Sequence, residues 1–174
     1  MSTSVQVVAT ALQVGPGLGP QGAPVANPFL NLVGSAIGAF LTTLVVGAIL
    51  VAVAPDYTER KIASLLEEPV SAFLYGFVSL LFFALVILVL AITIFGLLIA
   101  VPLALMLYIA WAVGGAIAFL AIGDRLVGRD DGWAKPLVVG AGINGALTLT
   151  GIGGLLTFAI AGAGFGAVLR DYLG

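Results

Sequence analysis

From Met1 to Pro55 the chain carries no charged side chain, and its six basic and eight acidic residues fall into three short clusters. Asp56, Glu59, Arg60, Lys61, Glu67 and Glu68 form the first. Asp124, Arg125, Arg129, Asp130, Asp131 and Lys135 form the second, and Arg170 with Asp171 the third. A charged residue at the centre of a membrane helix costs roughly 2.5–3.5 kcal/mol on insertion scales, so hydrocarbon is the solvent that selects such long uncharged gaps. The pattern predicts an all-α, polytopic transmembrane bundle with two broken, hairpin-like helical segments. A single membrane domain over 29–174 follows an uncharged, Gly/Pro-rich leader over 1–28.

Composition narrows the chemistry. Only 8% of residues are charged, against about 25% in soluble domains. A net charge of −2 with no basic run argues against nucleic acid as a partner. Histidine and cysteine are both absent, which removes imidazole bases, thiol nucleophiles and thiolate metal ligands. In the leader, Val14-Gly-Pro-Gly-Leu-Gly-Pro-Gln-Gly-Ala-Pro is incompatible with a helix, because Pro removes donors and Gly adds backbone entropy. The leader lacks the positive n-region of a secretory signal. It is expected to be extended, with a short interfacial element over Val5 to Val14 as the alternative.

The predicted spans are 29–54, 70–96, 102–123, 137–150 and 154–169, with an interfacial helix over 56–68. In the first span Gly34 and Gly38 make a small-xxx-small pair, expected to pack within the chain rather than at a dimer seam. The interfacial helix sets Ile62, Leu65 and Leu66 toward the acyl chains, with Glu59, Arg60, Lys61, Glu67 and Glu68 pointing away from them. The uncharged run from Val70 to Gly123 is long enough for two helices. Its break is expected between Thr93 and Pro102, Gly96 capping one helix and Pro102 opening the next.

After the second cluster a shorter hairpin breaks at Thr148 to Gly154, around Gly151, Gly153 and Gly154. Each half is about 16 residues, near or below a full crossing, so a re-entrant hairpin and two thin crossings are both open. Gly162, Gly164 and Gly166 offer a smooth face for close helix packing. The hairpins resemble one another: Ala91-Ile-Thr-Ile-Phe-Gly96 is similar to Ala146-Leu-Thr-Leu-Thr-Gly151, which suggests a parallel internal repeat. Two hairpins keep all charged clusters on one side. The positive-inside rule makes that side cytoplasmic, with the N-terminus outside and the C-terminus inside a plasma membrane. Trp111 and Tyr108 fall mid-helix and are expected to pack against protein.

Catalytic candidates are sparse. Asp124 with Asp130 and Asp131 offers carboxylates for a divalent cation, but Arg125, Arg129 and Lys135 oppose one. No enzyme activity, metal or cofactor is expected. Asn144 is the most polar residue well inside a span. An interhelical hydrogen bond is its first reading, and the lining of an oligomeric pore the second.

The order of these features resembles a small membrane domain of archaea and bacteria that is often joined to bactofilin-type polymer-forming domains and is also found alone. The matching features are Pro55, an amphipathic stretch, Pro69, Gly76, the Thr93-x-x-Gly96 break, Ile152-Gly-Gly154 and the Gly162-x-Gly164-x-Gly166 helix. Leu98 departs from the pattern, standing where that family has Pro two residues after the break glycine. The polymer-forming domain is not present, so filament formation is not implied. The resemblance implies a membrane anchor or scaffold. The expected role is therefore a non-enzymatic anchor, scaffold or accessory subunit in the lipid bilayer, as a homo-oligomer or part of a larger membrane complex. A small oligomeric channel or transporter subunit is the alternative.

Overall fold

The computed structural model describes residues 28–150 and 152–173, the last three by backbone alone. Residues 1–27 of the leader, Gly151 and Gly174 lie outside the described residues. Six helices follow in order: α1 Pro28–Val53, α2 Pro55–Glu67, α3 Pro69–Ala91, α4 Ile94–Val127, α5 Ala134–Thr148 and α6 Gly153–Leu173. No strand occurs among the described residues.

Proline opens each of the first three helices, where its missing N–H is one of the unpaired donors anyway and its fixed φ suits the first turn. Single residues, Ala54 and Glu68, therefore suffice to turn the chain from α1 into α2 and from α2 into α3. Their carbonyls still accept helical hydrogen bonds from Thr58 and Ala72, both at 3.0 Å.

The α3–α4 turn lies at Ile92 and Thr93, earlier than the sequence suggests. Thr93 is the N-cap of α4 and its hydroxyl oxygen accepts from the Gly96 N–H at 2.9 Å. Gly96 thus belongs to the first turn of α4 and does not cap α3. Pro102 sits inside α4, on an exposed face, instead of opening it. An N-cap threonine outcompetes a downstream glycine because it satisfies a donor at the helix start directly.

Four helical segments among the described residues are long and apolar enough to cross a membrane: Pro28–Val53, Pro69–Ala91, Ile94–Val127 and Gly153–Arg170. They are the spans of a multi-pass membrane protein. Helix α5 is not among them. Its 15 residues rise roughly 22 Å, against a hydrocarbon core of about 30 Å.

The core gathers toward the charged end, where α6 packs on both α3 and α4. Ile62, Ile117, Phe119, Leu120 and Phe165 are fully or almost fully buried there. Trp111 does pack against protein, with its ring 5.2 Å from Phe158 and 5.6 Å from Phe165. Tyr108 does not, being 41% exposed on the outer face of α4.

Backbone meets backbone where glycines pair. A Cβ on Gly164 would overlap the Gly114 carbonyl, and one on Gly166 would overlap that of Ala72 beside Gly76. Gly162 meets the Phe73 ring at ordinary contact distance. Gly34 and Gly38 behave otherwise: nothing lies within 4 Å of a Cβ at either site. The inward face of α1 is instead Ala36, Thr43 and Gly47. That expectation fails because an almost wholly apolar helix carries no polar face from which its rotation can be read.

Candidate functional site

Two places in the molecule concentrate polar chemistry. The first is a collar at the charged end, built by α2 lying against α4 and α6. Arg129, just past α4, reaches back to Asp124 at 2.9 Å and across to Glu59 on α2 at 3.2 Å. Its guanidinium also lies over the Trp133 ring, 4.6 Å from the centroid. At the other end of α2, Glu68 accepts from Arg170 of α6 at 2.9 Å. Lys135 pairs with Asp131 one helical turn away. Exposed pairs of this kind contribute about 0–1 kcal/mol each, so the collar's value lies in fixing α2 geometrically.

Lys61 is the surprise in this collar. Sequence reasoning sets it among the outward charges, yet it is 2% exposed and is the largest fully buried side chain. Its Nζ donates to the Ala167 carbonyl at 2.5 Å, and the Tyr57 ring lies 5.6 Å away. A cation near the last turns of α6 is favoured by that helix's negative end. Thr58, fully buried beside it, donates to the Ala54 carbonyl at 2.9 Å. The one sequence signal for Lys61 was its place next to Ile62 and one turn from Leu65, on the inward stripe.

The second place is the α5–α6 hairpin. Asn144 of α5 donates through Nδ2 to Thr43 Oγ1 of α1 at 2.7 Å and to the Ala39 carbonyl at 3.3 Å. Its residue is 8% exposed, and its Oδ1 has no partner; nor has the buried Thr157 Oγ1 of α6. Asn144 lies one helical turn before Thr148, and Thr157 one turn after Gly153. The two unpartnered oxygens thus flank the same hairpin turn at matching positions.

The two hairpin turns are chemically alike. Leu90-x-x-Thr93-x-x-Gly96 closes the first and Leu147-x-x-Thr150-x-x-Gly153 the second. In each, the leucine carbonyl accepts from the threonine N–H, at 3.1 and 3.0 Å, and from its hydroxyl, at 3.2 and 2.8 Å. A Cβ on either glycine would overlap that leucine carbonyl. The resemblance noticed in the sequence is therefore real at the turns, but its register pairs Thr93 with Thr150, two residues beyond the alignment through Thr148. Gly153 starts α6, while Gly154 is exposed with open space around it.

These equivalent turns stand at different heights. Gly114 of α4 touches Gly164 of α6; from that level α4 rises roughly 30 Å to Ile94, whereas α6 rises roughly 16 Å to Gly153. Gly145 of α5 faces Ala36 and Phe40 of α1; from there Pro28 stands roughly 15 Å higher and Thr148 only about 5 Å. These registers put the α5–α6 turn roughly 14 Å below Ile94 and about 10 Å below Pro28, while the contact of Gly76 with Gly162 and Gly166 puts it about 6 Å below the end of α3 at Ala91. At the higher tip Ile92, Ile94, Phe95 and Leu98 are 77–90% exposed. Leaving such side chains in water costs about 1.5–3 kcal/mol each, so hydrocarbon covers that tip.

With this architecture described, the chain can be placed among known proteins. It belongs to the family described as Domain of unknown function (DUF8173), whose model matches residues 1–174. No curated protein and no solved structure matches it. In this DUF8173 member, no group of three or more acidic side chains among the described residues is placed to hold a metal ion. Asp124 and Asp131 are each engaged by a basic side chain.

Proposed function

We propose that this DUF8173 protein is a non-enzymatic membrane anchor, scaffold or accessory subunit of a membrane assembly, without catalytic, metal or cofactor chemistry. The observation that carries the reading is the collar. Lys61, Glu59, Glu68, Arg129 and Arg170 hold α2 flat against the ends of the spans. They build a fixed platform on one membrane face, from which Arg60, Ala63 and Glu67 point outward. A rigid surface of mixed charge suits the docking of a second copy or of another subunit. The platform faces the cytoplasm, because every basic residue lies at that end. The N-terminus is then outside and the C-terminus inside. The resemblance to the membrane domains that accompany bactofilin-type polymers supports the same role.

Cysteines introduced at Ser4 and Gly132 test the orientation in intact cells. The first should react with an impermeant reagent and the second only after lysis. Equal labelling of both sites would overturn it.

One observation favours a second reading, a small oligomeric channel or transporter subunit: the unpartnered Asn144 Oδ1 and Thr157 Oγ1 inside the broken hairpin. Planar-bilayer recording separates the two. As a scaffold, the wild type and Asn144→Leu both stay at background, and the variant loses about 1 kcal/mol of stability with its interhelical bond. A wild-type conductance that depends on Asn144 would establish the pore instead.

A further inference from the structure

We propose that the α5–α6 turn sits in a hydrated recess. There the water and phospholipid headgroups of the leaflet opposite the collar dip below the level of the flanking helix ends, by roughly 6 Å beside α3 and about 10–14 Å beside α1 and α4. The inference does not depend on whether the protein is a scaffold or a pore.

Three observations converge on it. The α5–α6 turn is recessed against α1 on one side and the α3–α4 hairpin on the other, by two independent sets of glycine contacts. The apolar tip at Ile92, Ile94, Phe95 and Leu98 fixes the hydrocarbon boundary at or above the higher level, because a position that lifted the recessed turn to the ordinary interface would push that tip into water. Finally, Asn144 Oδ1 and Thr157 Oγ1 are buried without partners one helical turn below the recessed turn. Buried polar atoms in native proteins find a partner, and one absent from the protein is supplied by water.

Water fits these groups better than another polypeptide does. The amide oxygen needs a donor and the threonine hydroxyl takes either role, both of which a water molecule supplies. If the amide were turned over, its nitrogen would stand in the same place and water would serve it equally. The exposed Thr150 marks the mouth of the recess. Its hydroxyl already covers the Leu147 carbonyl, so the turn tolerates the transition between water and hydrocarbon. Bilayers thin at modest cost beside apolar segments shorter than the hydrocarbon core, and the 15-residue α5 is too short to cross it.

The chain has no cysteine, so single-cysteine spin labels test the recess without prior replacement. Thr150→Cys, Ile152→Cys and Leu88→Cys are each reconstituted in phosphatidylcholine vesicles containing anionic lipid. Leu88, an exposed residue of α3, stands at nearly the same height as the recessed turn by the Gly76 register. Collision with a water-soluble nickel chelate is compared with collision with oxygen by power saturation. The proposal expects nickel accessibility at Thr150 and Ile152 several-fold above that at Leu88, and at least equal to that of a label at Ile94 on the higher tip. Nickel accessibility at both turn positions equal to Leu88 would overturn it, since the turn would then lie in hydrocarbon. A label at Ile94 more accessible than either turn position would overturn it too, because the tip would then be the part in water.

Discussion

The α3–α4 and α5–α6 hairpins close with the same turn and otherwise share little. The first presents Leu, Ile, Val and Phe to its surroundings along α3 and the first half of α4, and only beyond Gly114 does α4 enter the core. The second is rich in glycine, and half of α6 from Gly153 to Arg170 is buried. One hairpin is a wall in contact with lipid and the other is a wedge held between walls. The contrast teaches that the Leu-x-x-Thr-x-x-Gly turn fixes how a hairpin closes, while small residues decide how deeply it is buried. Without a hydrophobic force between helices in lipid, close backbone approach is what holds the wedge in place.

The strongest way to break this contrast is to thicken the wedge. Gly164→Leu would drive a side chain into the Gly114 carbonyl and the Ala118 methyl. Overpacking typically costs 1–3 kcal/mol and more against backbone, so about 3 kcal/mol or outright loss of folded protein is expected. Leu at Gly142, which has open space around it, should leave detergent stability nearly unchanged. Equal thermal stability of the two variants would show that α6 is not wedged.

A smaller effect tests how the wedge is fastened at its base. Lys61→Met keeps most of the packing but loses the charged hydrogen bond to the Ala167 carbonyl. A loss of about 1.5–3 kcal/mol is expected in denaturant unfolding of the purified protein. Arg60→Met, at an exposed neighbouring site, should change stability by about 0.5 kcal/mol or less. If the two variants unfold alike, Lys61 is not a fastening.

The smallest expected effect sharpens the likeness of the turns. Thr93 accepts from the Gly96 N–H with its side chain, whereas in the second turn Gly153 donates to the Thr150 carbonyl instead. Thr93→Ala should therefore cost about 1 kcal/mol, the usual value of a cap. Thr150→Ala should cost less, because only the hydroxyl bond to Leu147 is lost. Chemical denaturation of both variants in one detergent checks the order, and a larger loss at Thr150 would reverse the assignment of the cap.

Much of the fold was legible, because charge in hydrocarbon is so costly that its absence marks the spans and its presence marks their ends. The helix over 56–68 was equally plain, since Pro55 and Pro69 bracket it, but the stripe expected to face acyl chains was misplaced. Ile62 and Leu65 pack into the protein core, because α4 and α6 offer them an apolar surface, and Leu66 is left exposed. Helix rotation was not legible: Gly34 and Gly38 carry the same small-residue signature as Gly162, Gly164 and Gly166, and only neighbours distinguish an open pair from a packed one. The break at Thr93 was missed by a few residues because Gly96 serves a start as readily as a stop. Lys61 was hidden by its own charge, which ordinarily places a side chain in solvent. At Asn144 the polarity was visible, but its partner Thr43 is distant in sequence and nothing in either segment pairs them.

The burial of Lys61 also carries a consequence for biogenesis. Lys61 leaves the ribosome with α2, long before Ala167 exists, and α6 is the last of the six helices to emerge. Until then Lys61 has no carbonyl of α6 to meet, and Ala72 and Gly76 of α3 lack the glycines that later cover them. A chain that lacked α6 would leave that groove unfilled beside the Lys61 cation. Closure of the bundle thus awaits α6, and it conceals both the cation and the groove.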